Sequence, residues 1–367
     1  MKTKTKLLLI TSEFPPQPGG IGNHAWQLAK NFAERGFQVG VITDQRSAEG
    51  KEEELFDAAQ DFEVYRTPRH SPILKTYVER WRKLKQLTKK YDVFIFSGKY
   101  SLWMGGALKI SSQQQKIAVL HGSELGLSSS LLKKLTLWSI RQMHEVVAVS
   151  NYTASLVNEL NLKNISVFLN GFEMALPKDI QVPKSVSKNL QLITVGNLSQ
   201  RKGQHNVVKA LPKLLKKFPQ LTYHIVGIPT EAEQLITLAQ ELNVAEHLKI
   251  HGQVSEKKKL SLLQDSDVFM MLSEQTDNGN VEGFGIAILE ANALALPAIG
   301  AKNCGIEDAI DSGKSGVLVD PHRPQEILEA LSQIEQEYAI YSLNASNWSK
   351  DFSWDQRIKP YLKLIKK

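Results

Sequence analysis

Asn280-Val281-Glu282-Gly283-Phe284-Gly285-Ile286-Ala287-Ile288-Leu289-Glu290 reads as a glycine-bearing loop that runs into an apolar helix, with one carboxylate in the loop and a second in the helix. From Ile286 to Leu296 only Glu290 and Asn292 are strongly polar, so the segment predicts a helix buried on most of its faces. A carboxylate inside such a helix is costly unless it is hydrogen-bonded. Either the protein or a ligand must therefore supply Glu290 with a partner. The helix start behind Gly283 and Gly285 offers backbone N–H groups and the positive end of a dipole, a place suited to phosphate. Two carboxylates for hydroxyls and a helix start for phosphate point to a nucleotide-sugar site.

Around this stretch the chain shows a repeated strand–helix rhythm. Strand-like apolar runs in the second half are Leu190–Val195, Tyr223–Val226, Leu248–Ile250, Val268–Leu272, Pro297–Ile299 and Val317–Val319. Gln325–Ile340 and Trp354–Ile365 read as closing amphipathic helices. The first half repeats the pattern at Lys6–Thr11, Gln38–Thr43, Phe62–Tyr65, Val93–Phe96, Ile117–Leu120, Val146–Val149 and Ile165–Leu169, with Asn23–Arg35 as the first helix. Alternation of this kind predicts an α/β fold with parallel sheets covered on both faces. Pro177 and Pro183 among Lys and Ser mark a linker. The expected organisation is a first domain over 1–176, a linker over 177–189, a second domain over 190–345 and a closing helical segment over 346–367. Two doubly wound domains imply a cleft between them, with ligands beyond the carboxyl ends of the strands.

Bulk composition agrees with a soluble globular chain: 42% of the 367 residues are apolar and 23% charged. A single cysteine, Cys304, excludes an intramolecular disulfide and fits a reducing compartment. The lysine-rich start followed by a short apolar run reads as a first buried strand and not as a signal peptide. No run approaches the ~20 apolar residues of a spanning helix. The net charge of +7 is uneven. Residues 1–178 hold 24 Lys and Arg against 16 Asp and Glu, while the remainder holds 21 against 22. The excess is either solvated surface or a face toward something anionic, such as a membrane surface or a phosphate-bearing acceptor. Nucleic acid is set aside, because no recognition motif accompanies the charge. Lys75–Lys90, with Tyr77, Trp81, Leu84 and Leu87 among its charges, reads as a surface helix with its apolar side on the sheet, or as one lying on anionic lipid.

Several motifs carry chemistry. Gly20-Ile21-Gly22-Asn23-His24-Ala25 fits a dinucleotide fingerprint, with Asp44 at the end of the next strand as a ribose acid. The fingerprint needs its first glycine directly after the strand, and here Ser12–Pro18 intervenes. Gly20 therefore reads as part of a phosphate-facing loop or of a structural turn, and nicotinamide is set aside. His121-Gly122-Ser123-Glu124 follows a strand directly and so stands at a carboxyl end. Arg201-Lys202-Gly203 lies in the first strand-to-helix loop of the second domain. There Lys202 can meet a diphosphate as a point charge and Arg201 as a fork; otherwise the loop is solvated. Asp265-Ser266-Asp267 has the look of a metal-binding triplet but lies at the wrong end of its strand, and reads as a turn. No His/Cys cluster has zinc spacing.

In this order, the pieces resemble retaining glycosyltransferases of the two-Rossmann-domain (GT-B) architecture, specifically their fourth sequence family. The resemblance runs through Pro15-Pro16 with Gly19-Gly20-Ile21-Gly22, His121-Gly122, Val149-Ser150, Val195-Gly196 with Arg201-Lys202-Gly203, His251-Gly252-Gln253-Val254, the Glu282-to-Glu290 pair and Phe352-Ser353-Trp354-Asp355. It covers essentially the whole chain. It implies that Glu282 sits by the donor-sugar hydroxyls and that the backbone of Phe284, Gly285 and Ile286 meets the diphosphate. Glu290 takes the ribose, Arg201 and Lys202 neutralise the leaving diphosphate, and Val254 borders the base. His121 lies beside the reacting sugar carbon and Gly20 near the phosphates. The closing helix is implied to pack back on the first domain. Asn197 departs from the pattern, which carries arginine there. A lost charged hydrogen bond is worth roughly 1.5–3 kcal/mol, unless Arg201 compensates.

The implied reaction is transfer of a hexose from a nucleoside diphosphate to an acceptor hydroxyl with retention and without a metal or other cofactor. Glu282 then positions the sugar and is not a nucleophile. His121-Gly122-Ser123-Glu124 is similar to phosphatidylinositol mannosyltransferases. That favours GDP-mannose over UDP-glucose or UDP-N-acetylglucosamine, and a glycan or lipid-linked acceptor. The expected location is cytoplasmic, peripheral on the inner face of the plasma membrane. The alternatives are an epimerase or phosphorylase of the same architecture, and a non-catalytic nucleotide-sugar-binding module.

Overall fold

The computed structural model describes residues 5–365 apart from 128, 178, 179, 181, 184 and 278. The chain divides into two compact units, Met1–Gly171 with Trp354–Lys367, and Phe172–Ser353. Both are parallel-sheet α/β units.

The first unit holds seven strands: β1 (Lys6–Ile10), β2 (Gln38–Gln45), β3 (Glu63–Pro68), β4 (Val93–Ser97), β5 (Gln115–Leu120), β6 (Glu145–Ala148) and β7 (Ile165–Val167). Their order across the sheet is β3-β2-β1-β4-β5-β6-β7, and every pairing is parallel. Leu7, Leu8, Leu9 and Ile10 are all fully buried. That explains why β1 is a continuous apolar run without alternation: helices cover both faces. The helix Gly20–Glu34 puts Ala25, Leu28, Ala29 and Phe32 into the core.

The second unit holds β8 (Gln191–Val195), β9 (Thr222–Val226), β10 (Leu248–Gly252), β11 (Val268–Met271), β12 (Ala298–Ala301) and β13 (Gly316–Val319). Their order is β10-β9-β8-β11-β12-β13, again all parallel. In each sheet the order reverses beside the first strand, β1 or β8. Ligands of doubly wound sheets collect beyond the carboxyl ends at such a reversal. The loops after β1 and β4, and after β8 and β11, flank these points.

Three expectations need correction. Gln325–Ile340 is not one helix: Pro324–Gln336 ends at Glu337 (φ −119°, ψ 32°), and Tyr338–Lys350 starts anew. The break lets Tyr338 bury its ring and donate its hydroxyl to the Asp267 carbonyl at 2.8 Å. The closing segment is shorter than 346–367. Residues up to Lys350 complete a helix that packs on Ile286–Ala293, and only Trp354–Lys367 joins the first unit. Residues 172–189 also cluster with the second unit and not as a free linker, although 178, 179, 181 and 184 lie outside the described residues, as do 1–4 and 366–367. Asp267 fastens this segment by accepting from the Ser187 and Gln191 amides, each at 2.7 Å.

Asp44, the candidate ribose acid of a dinucleotide site, is taken by the protein. It is buried and ion-paired to the fully buried Arg80 guanidinium, with Arg69 at 3.5 Å. Breaking one side of a buried pair strands the other charge, at a cost of about 3–5 kcal/mol. Arg80→Met is therefore expected to lower unfolding stability by several kcal/mol in urea titrations, and Asp44→Asn added to it to recover part of the loss. Equal stability of Arg80→Met and the native chain would show that the pair is not the constraint described.

Candidate functional site

In the second unit, the loop after β8 turns through a short 3-10 segment, Gln200–Lys202, into the helix Gln204–Leu214. Gly203 makes the turn at φ +72°, and a Cβ there would stand 1.7 Å from the Leu272 carbonyl oxygen. Only glycine lets the loop lie this close to the end of β11. Glu274 braces the same loop: its amide donates to the Arg201 carbonyl at 3.3 Å, and its carboxylate accepts from Asn206 at 2.9 Å and meets His205 at 3.2 Å.

The loop after β11 carries Glu282 to the two cations. Its carboxylate pairs with the Arg201 guanidinium and with Lys202 Nζ at 3.0 Å. Glu282 is held from behind, because its carbonyl accepts from the Gly305 amide at 3.0 Å. Gly305 lies against this loop so closely that a Cβ would meet the Glu282 and Gly283 carbonyl oxygens at 2.4 and 2.3 Å. Burial and Arg201 pull the Lys202 ammonium down to about 7, while Glu290 favours its charged form.

Gly285, at φ +86°, starts the helix Ile286–Ala293, and no side chain caps it. This is the buried helix expected from the sequence, shorter by three residues because Ala295 turns at φ +61°. Phe284 is buried with its ring against Phe352, so its contribution to a ligand can come only from its backbone. Glu290 has a partner within the protein: Lys259 Nζ at 3.6 Å. Burial raises the Glu290 carboxyl and Lys259 pulls it back. Burial likewise opposes the Lys259 charge, and Glu290 together with Glu256 overcomes it, so the ammonium is raised. Lys259 lies on Glu256–Gln264, the helix entered directly from half-buried Val254 through the Ser255 cap. Asn197 is exposed and supplies no cation, which leaves that charge to Arg201 and Lys202. Among the described residues, no group of three or more His, Cys, Asp or Glu could hold a metal ion.

His121 and Gly20 belong to the first unit. His121 follows β5 directly and is nearly buried. Its Nε2 stands 2.9 Å from Ser97 Oγ at the end of β4, and its amide donates to the Glu124 carboxylate at 3.0 Å. Burial, then His24, holds the imidazole well below its ordinary range. Burial pushes the Glu124 carboxyl up to about 7, and the His121 amide works against that rise. Gly20 opens the helix whose next turn carries His24. The His24 ring lies edge-on to His121 with centroids 5.0 Å apart, and burial depresses it to about 4. Trp354 and Tyr361 of the closing helix flank His24 at 5.4 and 6.3 Å.

The sequence reading missed Lys259, Ser97 and His24 as partners. Glu124 stood in the quoted motif without a role. Its spacing three residues after His121, past a glycine, was the one available signal, because a side chain at that offset can fold back on a backbone amide.

Comparison with known proteins gives the family. The family described as "Glycosyl transferases group 1" matches residues 177–349, and "Glycosyltransferase Family 4" matches residues 18–176. The chain belongs to glycosyltransferase family 4, and it is a glycosyltransferase of the GT-B architecture. It is 25% identical over 352 residues to the GDP-mannose-dependent alpha-(1-6)-phosphatidylinositol monomannoside mannosyltransferase of Mycobacterium tuberculosis, covering 90% of this chain and 89% of that protein. The similarly named protein of Mycolicibacterium smegmatis is 25% identical over 380 residues, with 96% of each chain covered. Among solved structures, Anabaena HepE in complex with UDP and glucose superposes with a TM-score of 0.78 at 20% identity, covering 98% of this chain and 99% of that one.

The Lys202 environment has a consequence for stability. Its native pKa of about 7 lies below the ~10.4 of an unfolded lysine. Between these values the unfolded chain holds a proton that the native one has lost, so this group makes stability rise with pH across that window. Unfolding free energy measured from pH 7 to 10 should climb more steeply in the native chain than in Lys202→Met. Parallel curves would show that Lys202 titrates normally.

Proposed function

We propose that the protein transfers a hexose, with retention, from a nucleoside diphosphate to a hydroxyl of a glycan or lipid-linked acceptor at the cytoplasmic face of a membrane, without a metal. The observation that carries this reading is the set of Arg201, Lys202 and Glu282 in the loops on either side of the second sheet's reversal point. The uncapped start of Ile286–Ala293 stands only three residues beyond Glu282 in the chain.

The set suits a departing diphosphate. Two cations and a helix start are fixed before the reaction begins, so growing negative charge meets preorganised dipoles and charges. Arg201 and Lys202 now spend their charge on Glu282. A diphosphate would take over part of that role, and Glu282 would turn its free oxygen toward a sugar hydroxyl. A carboxylate held by two cations is a weak nucleophile, which supports a positioning role for Glu282. Retention then comes from the departing phosphate guiding the acceptor in on the same face. Glu290, beside Lys259 and the helix that follows Val254, suits ribose and base. In the first unit, neutral His121 with Ser97 and Glu124 suits a hydroxyl-bearing substrate.

The mannosyltransferase relatives favour GDP-mannose and a lipid-linked acceptor. The Anabaena neighbour holding UDP and glucose favours UDP-glucose as the second reading. A thermal-shift panel of GDP-mannose, UDP-glucose, UDP-N-acetylglucosamine and their nucleoside diphosphates ranks them, since a ligand at about a hundredfold over its Kd adds ~2.7 kcal/mol. GDP-mannose is expected to give the largest shift, and Lys202→Ala to remove it while the fold persists by circular dichroism. NMR of the product should show the donor's anomeric configuration, at a rate unchanged by EDTA. A glycosyl-Glu282 adduct trapped by mass spectrometry would overturn the positioning role, and an unchanged Lys202→Ala shift would overturn the site.

A further inference from the structure

His121 is pinned twice. Its backbone is held by Glu124, whose carboxylate accepts from the His121 amide at 3.0 Å. Its ring is held by Ser97, the last residue of β4, with Ser97 Oγ 2.9 Å from Nε2. The sheet register explains the meeting. Ser97 pairs with Val119 on β5. His121 stands two positions beyond Val119, so its side chain leaves the same face of the sheet as that of Ser97. Gly98, at φ +85°, then turns the chain away into the helix Lys99–Ala107, which keeps Ser97 at the carboxyl end of its strand.

The hydroxyl decides which ring nitrogen carries the proton. Burial keeps the ring neutral, and Glu124 bonds its backbone and not the ring itself. A neutral imidazole has one N–H, and its other nitrogen accepts. Ser97 is 1% exposed, and among the described residues its hydroxyl has no other partner. Were Nε2–H to donate to Ser97, the serine proton would be buried without an acceptor. When Ser97 donates to Nε2 instead, both groups are satisfied. Stranding a buried hydroxyl is costly enough to favour the second form by roughly ten- to a hundredfold. The ring proton therefore sits on Nδ1. His24 meets the ring edge-on with centroids 5.0 Å apart, and His24 Nε2 lies 3.4 Å from the Tyr361 hydroxyl, so the plane of the imidazole is fixed as well. His24 Nδ1 is sealed inside the protein without a partner, whereas His121 Nδ1 is not sealed in this way.

We infer that Ser97 is a positioning residue that holds His121 as the Nδ1–H tautomer, so that His121 donates a hydrogen bond to an oxygen of the transferred hexose and does not act as base toward the acceptor hydroxyl. Neither ring nitrogen has a lone pair to offer in this arrangement: Ser97 occupies the one on Nε2, and Nδ1 carries the proton. A general base needs such a lone pair within reach of the proton it takes. The bond to the hexose rests on the function proposed above, whereas the tautomer does not.

The test is two-bond 1H–15N NMR of the full chain labelled with 15N-histidine near neutral pH, with the His121 signal identified by its loss in His121→Asn. A protonated Nδ1 and an unprotonated Nε2 are expected. In Ser97→Ala the two tautomers should mix or reverse, and in Ser97→Thr, which keeps the hydroxyl, the native pattern should return. In transfer assays with the donor ranked first by thermal shift, Ser97→Ala should lower kcat about tenfold with little change in donor KM, because on the proposed function the second unit binds the diphosphate. Ser97→Thr should regain most of that rate. The native spectrum decides the tautomer even where a Ser97 variant fails to fold. A native Nε2–H tautomer, a charged ring, an unchanged His121 pattern in Ser97→Ala, or equal loss of rate in both Ser97 variants would overturn the inference. Transfer by a native chain with the Nε2–H tautomer would leave the proposed function standing. An Nδ1–H tautomer that Ser97→Ala disturbs, in a chain that transfers no hexose, would count against the proposed function and keep the role of Ser97 on His121.

Discussion

The second unit depends on one carboxylate between two cations. Glu282 joins the loop after β11 to the loop after β8 through Arg201 and Lys202. Two adjacent cations, one of them largely buried, would repel each other and lose hydration; a shared counterion offsets both. The same pairing keeps the cations pointed at one place before any ligand arrives. On the proposed function, an anionic ligand would take over part of the carboxylate's role.

Backbone proximity makes that interaction geometrically strict. Gly203 lets the β8 loop lie against the Leu272 carbonyl, and Gly305 lies against the carbonyls of Glu282 and Gly283. Neither loop can relax away from the other without losing contacts between main chains, which have no rotamers to absorb a shift. The glycines therefore carry the precision of the site, and the charged side chains exploit it.

The first unit uses buried polar groups differently. His121, Ser97, Glu124 and His24 form a cluster with no strong ion pair, in which burial keeps the imidazoles neutral and lifts the Glu124 carboxyl. The closing helix contributes Trp354 and Tyr361 to this cluster, so the end of the chain is part of the packing around His121. On the helix Ser130–Arg141, Thr136 and Ser139 are buried beside Ile140, while Leu131, Leu135 and Trp138 are exposed. Thr136 and Ser139 can be buried because each returns its hydroxyl to a carbonyl of its own helix.

The sequence by itself determined the two parallel sheets, because their central strands are buried on both faces and are forced to be continuous apolar runs, whereas the edge strands β3, β7 and β10 are only partly buried. It also determined that Glu290 needed a partner, because a carboxylate in an apolar helix cannot stand alone. Family-specific spacing singled out Lys202 and Glu282. Only the tertiary structure decided who meets whom. Lys259 reaches Glu290 from a helix some thirty residues earlier in the chain, and Arg80 claims Asp44 from another. The break at Glu337 was equally hidden, since the periodicity runs straight through it and only the pull of Tyr338 toward the Asp267 carbonyl requires it. Periodicity is local and survives in one dimension. Ion pairs, close glycines and the outward turn of a leucine stripe are set by neighbours distant in sequence, and become visible only when the chain is folded.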